Sequence, residues 1–275
     1  MIFLLHLNKI LYSKIMLDNI LNRQSEQNFN IPVLLFEKGE HKVYWLGMAV
    51  PDAFRTNIYL IVDGDEAIVI DPGNKAFYRE LYNRIEKLGY IDKVTGGVFC
   101  HQDPDVAGSV SDWVSGFRNF KVITSARTNV LLPHYGISDY NFYATGDEND
   151  HKLKFKSGNE LQFIDAHFLH FPGAIATYDP VSGFLFSGDV WAAIDIEFKF
   201  IVQDFEYHKL KLNLFHLDYM SSSIATNGFA RKLSDYDIKG ILPQHGAIIS
   251  SKDVAAAIEY LKELRCGLDL IYPDL

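Results

Sequence analysis

Short apolar runs follow one another along the chain, and their period switches between two and about 3.6 residues from one run to the next. Residues 57–62 and 67–71 are two apolar runs joined by Asp63-Gly64-Asp65-Glu66, which predicts a β-hairpin. Residues 75–88 carry Phe77, Leu81, Ile85 and Leu88 at helical spacing and stop at Gly89. Residues 97–100 read as a buried strand and 106–117 as a helix packing through Val110, Trp113 and Val114. Residues 121–124 read as a further strand. Residues 161–164, 166–171 and 183–186 read as strands of a second sheet. Residues 204–233 are largely helical, 240–242 a strand and 252–264 the final helix. Strands flanked throughout by helices give an α/β architecture of sheets covered by helices. The polar stretch 145–156 reads as an exposed loop or hairpin tip.

Length and composition narrow the function more than the fold. The chain has 275 residues with 48% hydrophobic content, ordinary for a globular protein. A net charge of −9 argues against a nucleic-acid groove and against charge-driven binding to anionic membranes. Two cysteines, Cys100 and Cys266, without a CxxC pair encode neither a disulfide scaffold nor a zinc ribbon. On the expected strand Cys100 points away from His101 into the core. The apolar start, Met1 to Leu7, is short and followed by Lys9 and Lys14, so residues 1–30 are expected to be a mostly helical, amphipathic extension. They lack a signal peptide's longer apolar core and the roughly 20 apolar residues of a spanning helix. Residues 31–275 are expected to form the working domain, in the cytoplasm. No GxSxG elbow, GxGxxG loop or Walker A loop is present.

The chemistry concentrates in His101-Gln102-Asp103-Pro104-Asp105, which follows the apolar run 97–100. On a strand, residues two apart point the same way, so His101, Asp103 and Asp105 are expected to converge at its end. One imidazole and two carboxylates cannot fill a metal's coordination sphere. The chain offers further ligands in the same setting: His170 in Leu-His-Phe-Pro-Gly, Asp189 in Phe-Ser-Gly-Asp and His245 in Pro-Gln-His-Gly. Three His and three Asp suit two metals that share a carboxylate. His167 competes with His170 for one place, and on a strand the two face opposite sides. His41, His134, His151, His208 and His216 read as surface residues or as supports behind the ligands. Tyr44, Trp45, Tyr178 and Trp191 lie near the motif blocks and are assigned no role.

These blocks resemble the metallo-β-lactamase superfamily, and within it the di-iron branch of flavodiiron proteins. His170 precedes Asp189 by nineteen positions, as the branch's His precedes its bridging Asp. Residues 56–62, leading into Val69-Ile70-Asp71-Pro72-Gly73, are similar to the superfamily's opening hairpin. The resemblance covers roughly residues 34 to 265 and implies a four-layer αββα metallo-β-lactamase sandwich. It implies one metal held by His101, Asp103 and His170, another by Asp105 and His245, and Asp189 between them. Asp103 stands where the branch has Glu, and Val106 where it has a His, which leaves the second metal with open positions. The superfamily's zinc hydrolases carry a second His where Asp103 stands. Carboxylate-rich mixed sites suit iron or manganese better than a His-rich zinc centre.

The flavodiiron resemblance also implies an FMN-bearing flavodoxin domain after the iron domain. The chain ends at Leu275, so two Fe ions and no FMN are expected, with Zn or Mn as alternatives. The combination is similar to stand-alone oxygen-binding di-iron proteins, which hold O2 as a di-ferric peroxo adduct and serve oxygen sensing, including for chemotaxis. That resemblance implies an O2-binding protein more than an enzyme, a homodimer, and a signalling or electron-transfer partner. A flavodiiron-like reductase of O2 or NO with an external electron donor is the second reading. A binuclear zinc hydrolase is the third.

Overall fold

The computed structural model describes residues 31–49, 55–194 and 199–274. The extension expected over residues 1–30 lies outside the described residues. A seven-stranded sheet runs in chain order: β1 (Val33–Lys38), β2 (His41–Ala49), β3 (Thr56–Asp63), β4 (Glu66–Ile70), β5 (Val94–Val98), β6 (Lys121–Thr124) and β7 (Asn141–Ala144). β1 to β4 pair antiparallel, and β4 to β7 pair parallel. The second sheet holds β8 (Lys152–Lys154), β9 (Glu160–Asp165), β10 (Ile175–Asp179), β11 (Phe184–Gly188), β12 (Gly240–Pro243) and β13 (Ile249–Ser250), ordered β13-β12-β11-β10-β9-β8. Within it only β11 and β12 pair parallel.

Period-two alternation shows how the layers stack. Leu161, Phe163, Phe184, Phe186 and Leu242 join the core shared with the first sheet. Their neighbours Ile164, Leu185 and Ile241 face the other way, into a second core with helices Phe205–Tyr219, Ser223–Lys232 and Val254–Glu263. In the first sheet β3 and β4 are buried along their whole length, as strands covered on both faces are. Helix Tyr78–Lys87 buries Leu81 and Ile85 in the same core. The result is the expected four-layer αββα sandwich.

Polar side chains also cross the sheet–sheet seam. Asn57 Nδ2 donates to the carbonyls of Pro243 and Gly246, and the Tyr59 hydroxyl donates to Pro243 O. At the other end of the seam His41 is clamped between two carboxylates, Nδ1 2.6 Å from Asp63 Oδ2 and Nε2 2.9 Å from Asp179 Oδ2. His41 is therefore a buried inter-sheet residue, neither exposed nor near the motif blocks.

One expected strand is absent and another ends early. Residues 166–171 form a turn, with Phe168 at φ +64° and half-exposed, and the ladder resumes only at β10 after Pro172-Gly173. β5 stops at Val98, because beyond Phe99 the ladder partner is lost. The Cys100 amide donates instead to the Asp71 carboxylate at 2.9 Å. Residues 106–117 form two short helices, Pro104–Ala107 and Val110–Gly116, rather than one. The stretch 145–156 contains β8, so part of it is hairpin strand.

Candidate metal centre

The motif blocks meet at one end of the sandwich. His101 follows β5, Asp189 follows β11, His245 follows β12, and His170 lies in the loop before β10. Asp103 is the N-cap residue of helix Pro104–Ala107, yet its side chain makes no capping bond. Its Oδ1 accepts from Gln102 Nε2 at 2.6 Å, and its Oδ2 is left for the imidazoles. Asp105 sits in the first turn of that helix, so convergence comes from a turn into a helix and not from strand alternation.

His101 Nε2 lies 3.3 Å from Asp189 Oδ2 and 3.6 Å from Asp103 Oδ2. His170 Nε2 lies 3.1 and 3.3 Å from the same two oxygens. On the far side His245 Nε2 lies 3.0 Å from Asp105 Oδ2 and 3.4 Å from Asp189 Oδ1. Asp189 thus turns one oxygen to each group. Two ligand atoms about 2.1 Å from a shared first-row ion lie roughly 3.0 Å apart at right angles and 3.4 Å apart at tetrahedral angles. The observed spacings fall around that range: His101, Asp103 and His170 group closely enough to hold one cation, and His245, Asp105 and Asp189 Oδ1 offer donors to a second. Asp189 Oδ1 is buried without a hydrogen-bond donor of good geometry among the described residues, which a cation would remedy.

Electrostatics agree with the geometry. Burial works against protonating His170, but the hydrogen bonds and charges of Asp103 and Asp189 lift it to about 10. Against the same burial, Asp105 and Asp189 lift His245 to about 9. Hydrogen bonds from His101 and His170 hold Asp103 well below the usual carboxylate range. Burial opposes ionising Asp189, yet the His101 charge and hydrogen bonds from His170 and His245 pull it well down. Without a cation, protons on the imidazoles supply the positive charge these carboxylates need. A metal has to displace those protons.

His167 stands outside this cluster, with its Nε2 3.7 Å from Asp165 Oδ1, so the turn brings His170 and not His167 to the centre. The side chains of Asp189, His101 and His245 are at most 4% exposed, whereas Asp103 and Asp105 are 34% and 33% exposed and His170 20%. One wall therefore opens toward solvent past the two carboxylates. Val106 is fully buried and offers no ligand atom.

Several supports were not assigned from sequence. Asp71, within the block Val-Ile-Asp-Pro-Gly, anchors the Cys100 amide, and burial raises its carboxyl to about 6. Cys100 is buried but does not face away from the site: its Sγ lies 3.0 Å from His101 Nδ1. His245 Nδ1 donates to Arg55 O at 3.0 Å, which directs Nε2 inward. His216, fully buried, accepts the Trp191 amide at Nε2 and contacts Leu212 O through Nδ1, which pins the turn after Asp189. Burial lowers His216 to about 4, so it stays neutral. His208 is likewise buried and lowered to about 4 by burial. His134 and His151 are the surface histidines expected. The Trp191 indole turns away and donates to Ala257 O, whereas Phe215 and Tyr219 place ring edges against His170.

A family model described as ODP family beta lactamase matches residues 54–246, more than half of the chain. The chain belongs to that family. Among solved structures, one titled as the peroxy diiron species of chemotaxis sensor ODP is 31% identical with a TM-score of 0.77. The match covers 89% of this chain and 100% of that one. The apo state of chemotaxis sensor ODP from T. denticola matches equally, over 99% of its chain. The flavodiiron protein from Giardia intestinalis, 23% identical with a TM-score of 0.72 over 80% of this chain and 56% of that one, shares the fold. Among curated relatives, the anaerobic nitric oxide reductase flavorubredoxin of an Enterobacter species is 27% identical over 49% of this chain and 28% of its own length. The chain spans little more than a quarter of the curated relatives it matches first. Among the described residues no helix is long and apolar enough to cross a membrane.

Proposed function

We propose that this chain is a non-haem di-iron protein that binds O2 and serves oxygen sensing. His101, Asp103 and His170 would hold one iron, Asp105 and His245 the other, with Asp189 between them. The observation that carries this reading is the split Asp189 carboxylate, with one oxygen toward His101 and His170 and the other toward His245. When bound, a pair of ferrous ions supplies electrons for holding O2. The chain's own residues do the rest. Buried His101, His245 and Asp189 keep water from the back of the site, while the exposed edge at Asp103 and Asp105 leaves a small molecule a way in. The match to the chemotaxis sensor structures over essentially their whole length supports a sensing role.

Residues 31–275 act as one unit in this proposal, in the cytoplasm and as a homodimer, and signal through a protein partner. The curated relatives named nitric oxide reductase favour a second reading, an O2 or NO reductase fed by a separate electron donor. Metal analysis of purified protein, followed by O2 and NO consumption with an added NADH-linked reductase, tests both. Two irons per chain with O2 taken up once support sensing. Sustained turnover supports the reductase, and two zinc ions with esterase activity sink both.

A further inference from the structure

His101 and Asp105 belong to opposite halves of the centre, and two buried side chains outside the ligand set connect them. Cys100 Sγ lies 3.0 Å from His101 Nδ1 and 3.8 Å from Gln244 Oε1. The other arm of that amide, Gln244 Nε2, donates to Asp105 Oδ2 at 3.1 Å. Cys100 is 4% exposed and Gln244 1%. Gln244 is itself fixed by its backbone, whose amide donates to Gly188 O at 2.9 Å and whose carbonyl accepts from Asn57 N at 2.6 Å. Gly188 makes room for the thiol: a Cβ there would stand 2.8 Å from Cys100 Sγ.

Donor and acceptor roles along this path run one way only. Gln244 Nε2 donates to the Asp105 carboxylate oxygen, so the NH2 side of the amide faces Asp105. Gln244 Oε1 is then left facing the thiol, and shares its S–H with the Asp71 carboxylate. The sulfur has only lone pairs to offer His101, so Nδ1 must carry the imidazole proton. In a neutral ring that leaves Nε2 as a bare lone pair, and Nε2 is the atom that points at Asp103 and Asp189.

We infer that Cys100 and Gln244 are positioning residues, a hydrogen-bonded strap from Asp105 to His101 that fixes the metal-binding tautomer of His101 and couples the two metal positions. The inference rests on the six residues being ligands. Ligand histidines more commonly give their second N–H to a carboxylate, carbonyl or water, and here His245 uses a carbonyl while His101 uses sulfur.

Anaerobic titration of metal-free protein with Co(II), followed by its visible absorption, tests the strap, with metal-free thermal unfolding as the check on folding. Gln244→Glu keeps the shape of the side chain but, ionised, cannot donate to Asp105. Cys100→Ala removes the middle link, and Cys100→Ser restores a group that both donates and accepts. Wild type is expected to take two Co(II). Gln244→Glu and Cys100→Ala should each weaken Co(II) binding about 10–100-fold, with Cys100→Ser close to wild type. The double variant should be no weaker than the worse single one, because either change severs the same strap. Unchanged affinity in both single variants, or losses that simply add, overturn the strap while leaving the ligand assignment standing. Failure of the wild type to take two Co(II) overturns the ligand assignment itself. A variant that unfolds before metal is added is replaced by Cys100→Val or Gln244→Met, neither of which can relay the hydrogen bond, and effects of these on metal-free stability with none on Co(II) also overturn the strap.

Discussion

Replacing His41 with Leu removes the cation from the inter-sheet clamp without opening a large cavity. Asp63 and Asp179 would then share a buried site with no positive partner. Removing one member of a buried ion pair costs about 3–5 kcal/mol. Here both carboxylates keep other donors, since Asn159 Nδ2 lies 2.7 Å from Asp63 Oδ2 and the Val181 amide 3.1 Å from Asp179 Oδ1. The loss should therefore sit near the lower end, about 3 kcal/mol. For a domain of this size that lowers Tm by roughly 6–12 °C. The effect also depends on pH. Against the opposing effect of burial, the bonds and charges of Asp179 and Asp63 raise His41 above 6.5 in the fold. Its contribution is complete below pH 6.5 and fades as pH rises through the raised value, at up to about 1.4 kcal/mol per unit. Asp63 is lowered below 3.8: burial opposes this, but Ser157, Asn159 and His41 outweigh it. Its contribution is present above 3.8 and fades as pH falls through the lowered value. Urea melts of wild type and variant between pH 5 and 9 should show the largest difference near pH 5–6 and a smaller one at pH 9. A difference below about 1 kcal/mol at pH 6, or one that grows toward pH 9, would refute the clamp.

Gly188→Ala places a Cβ 2.8 Å from Cys100 Sγ at φ +56°, and combines about 1–2 kcal/mol of left-handed strain with about 1–3 kcal/mol of overpacking. Adding Cys100→Ala should recover part of that loss in thermal melts, and no recovery would mean the sulfur contact is not the cause. Asp189→Asn keeps the shape but removes the shared charge, so metal analysis should find both positions weakened by more than about 100-fold, beyond the loss of a supporting residue. A variant that still holds one metal tightly would show that Asp189 serves one position alone. His170→Ala should empty its position while His167→Ala retains two metals per chain, and equal losses in both would contradict the observed turn.

How much was legible in the sequence follows from what each residue depends on. The six proposed ligands stand in short blocks beside apolar runs, so local pattern was enough to select them. Their convergence was expected for a partly wrong reason. Pro104 starts a helix directly after Asp103, and the Asp71 side chain ends β5 by taking the Cys100 amide, so no strand carries the alternation past Val98. Residues 166–171 are mostly apolar and read as a strand, but their backbone turns at Phe168. The Cys100 error has the same root, since its direction was inferred from a strand that had already ended. The clamp and the Gln244 contact join residues 138 and 139 positions apart, and such pairings leave no local trace. For His216 the sequence left surface and supporting roles open, because its work is done for the Trp191 backbone amide.

The most direct test of the central claim is the visible spectrum of anaerobically Fe(II)-loaded protein as O2 is added in known amounts. An O2-holding di-iron centre gives a long-lived charge-transfer band that saturates near one O2 per two irons and needs Asp189 to form. Immediate decay to a plain ferric spectrum, or iron that does not bind at all, would contradict the claim.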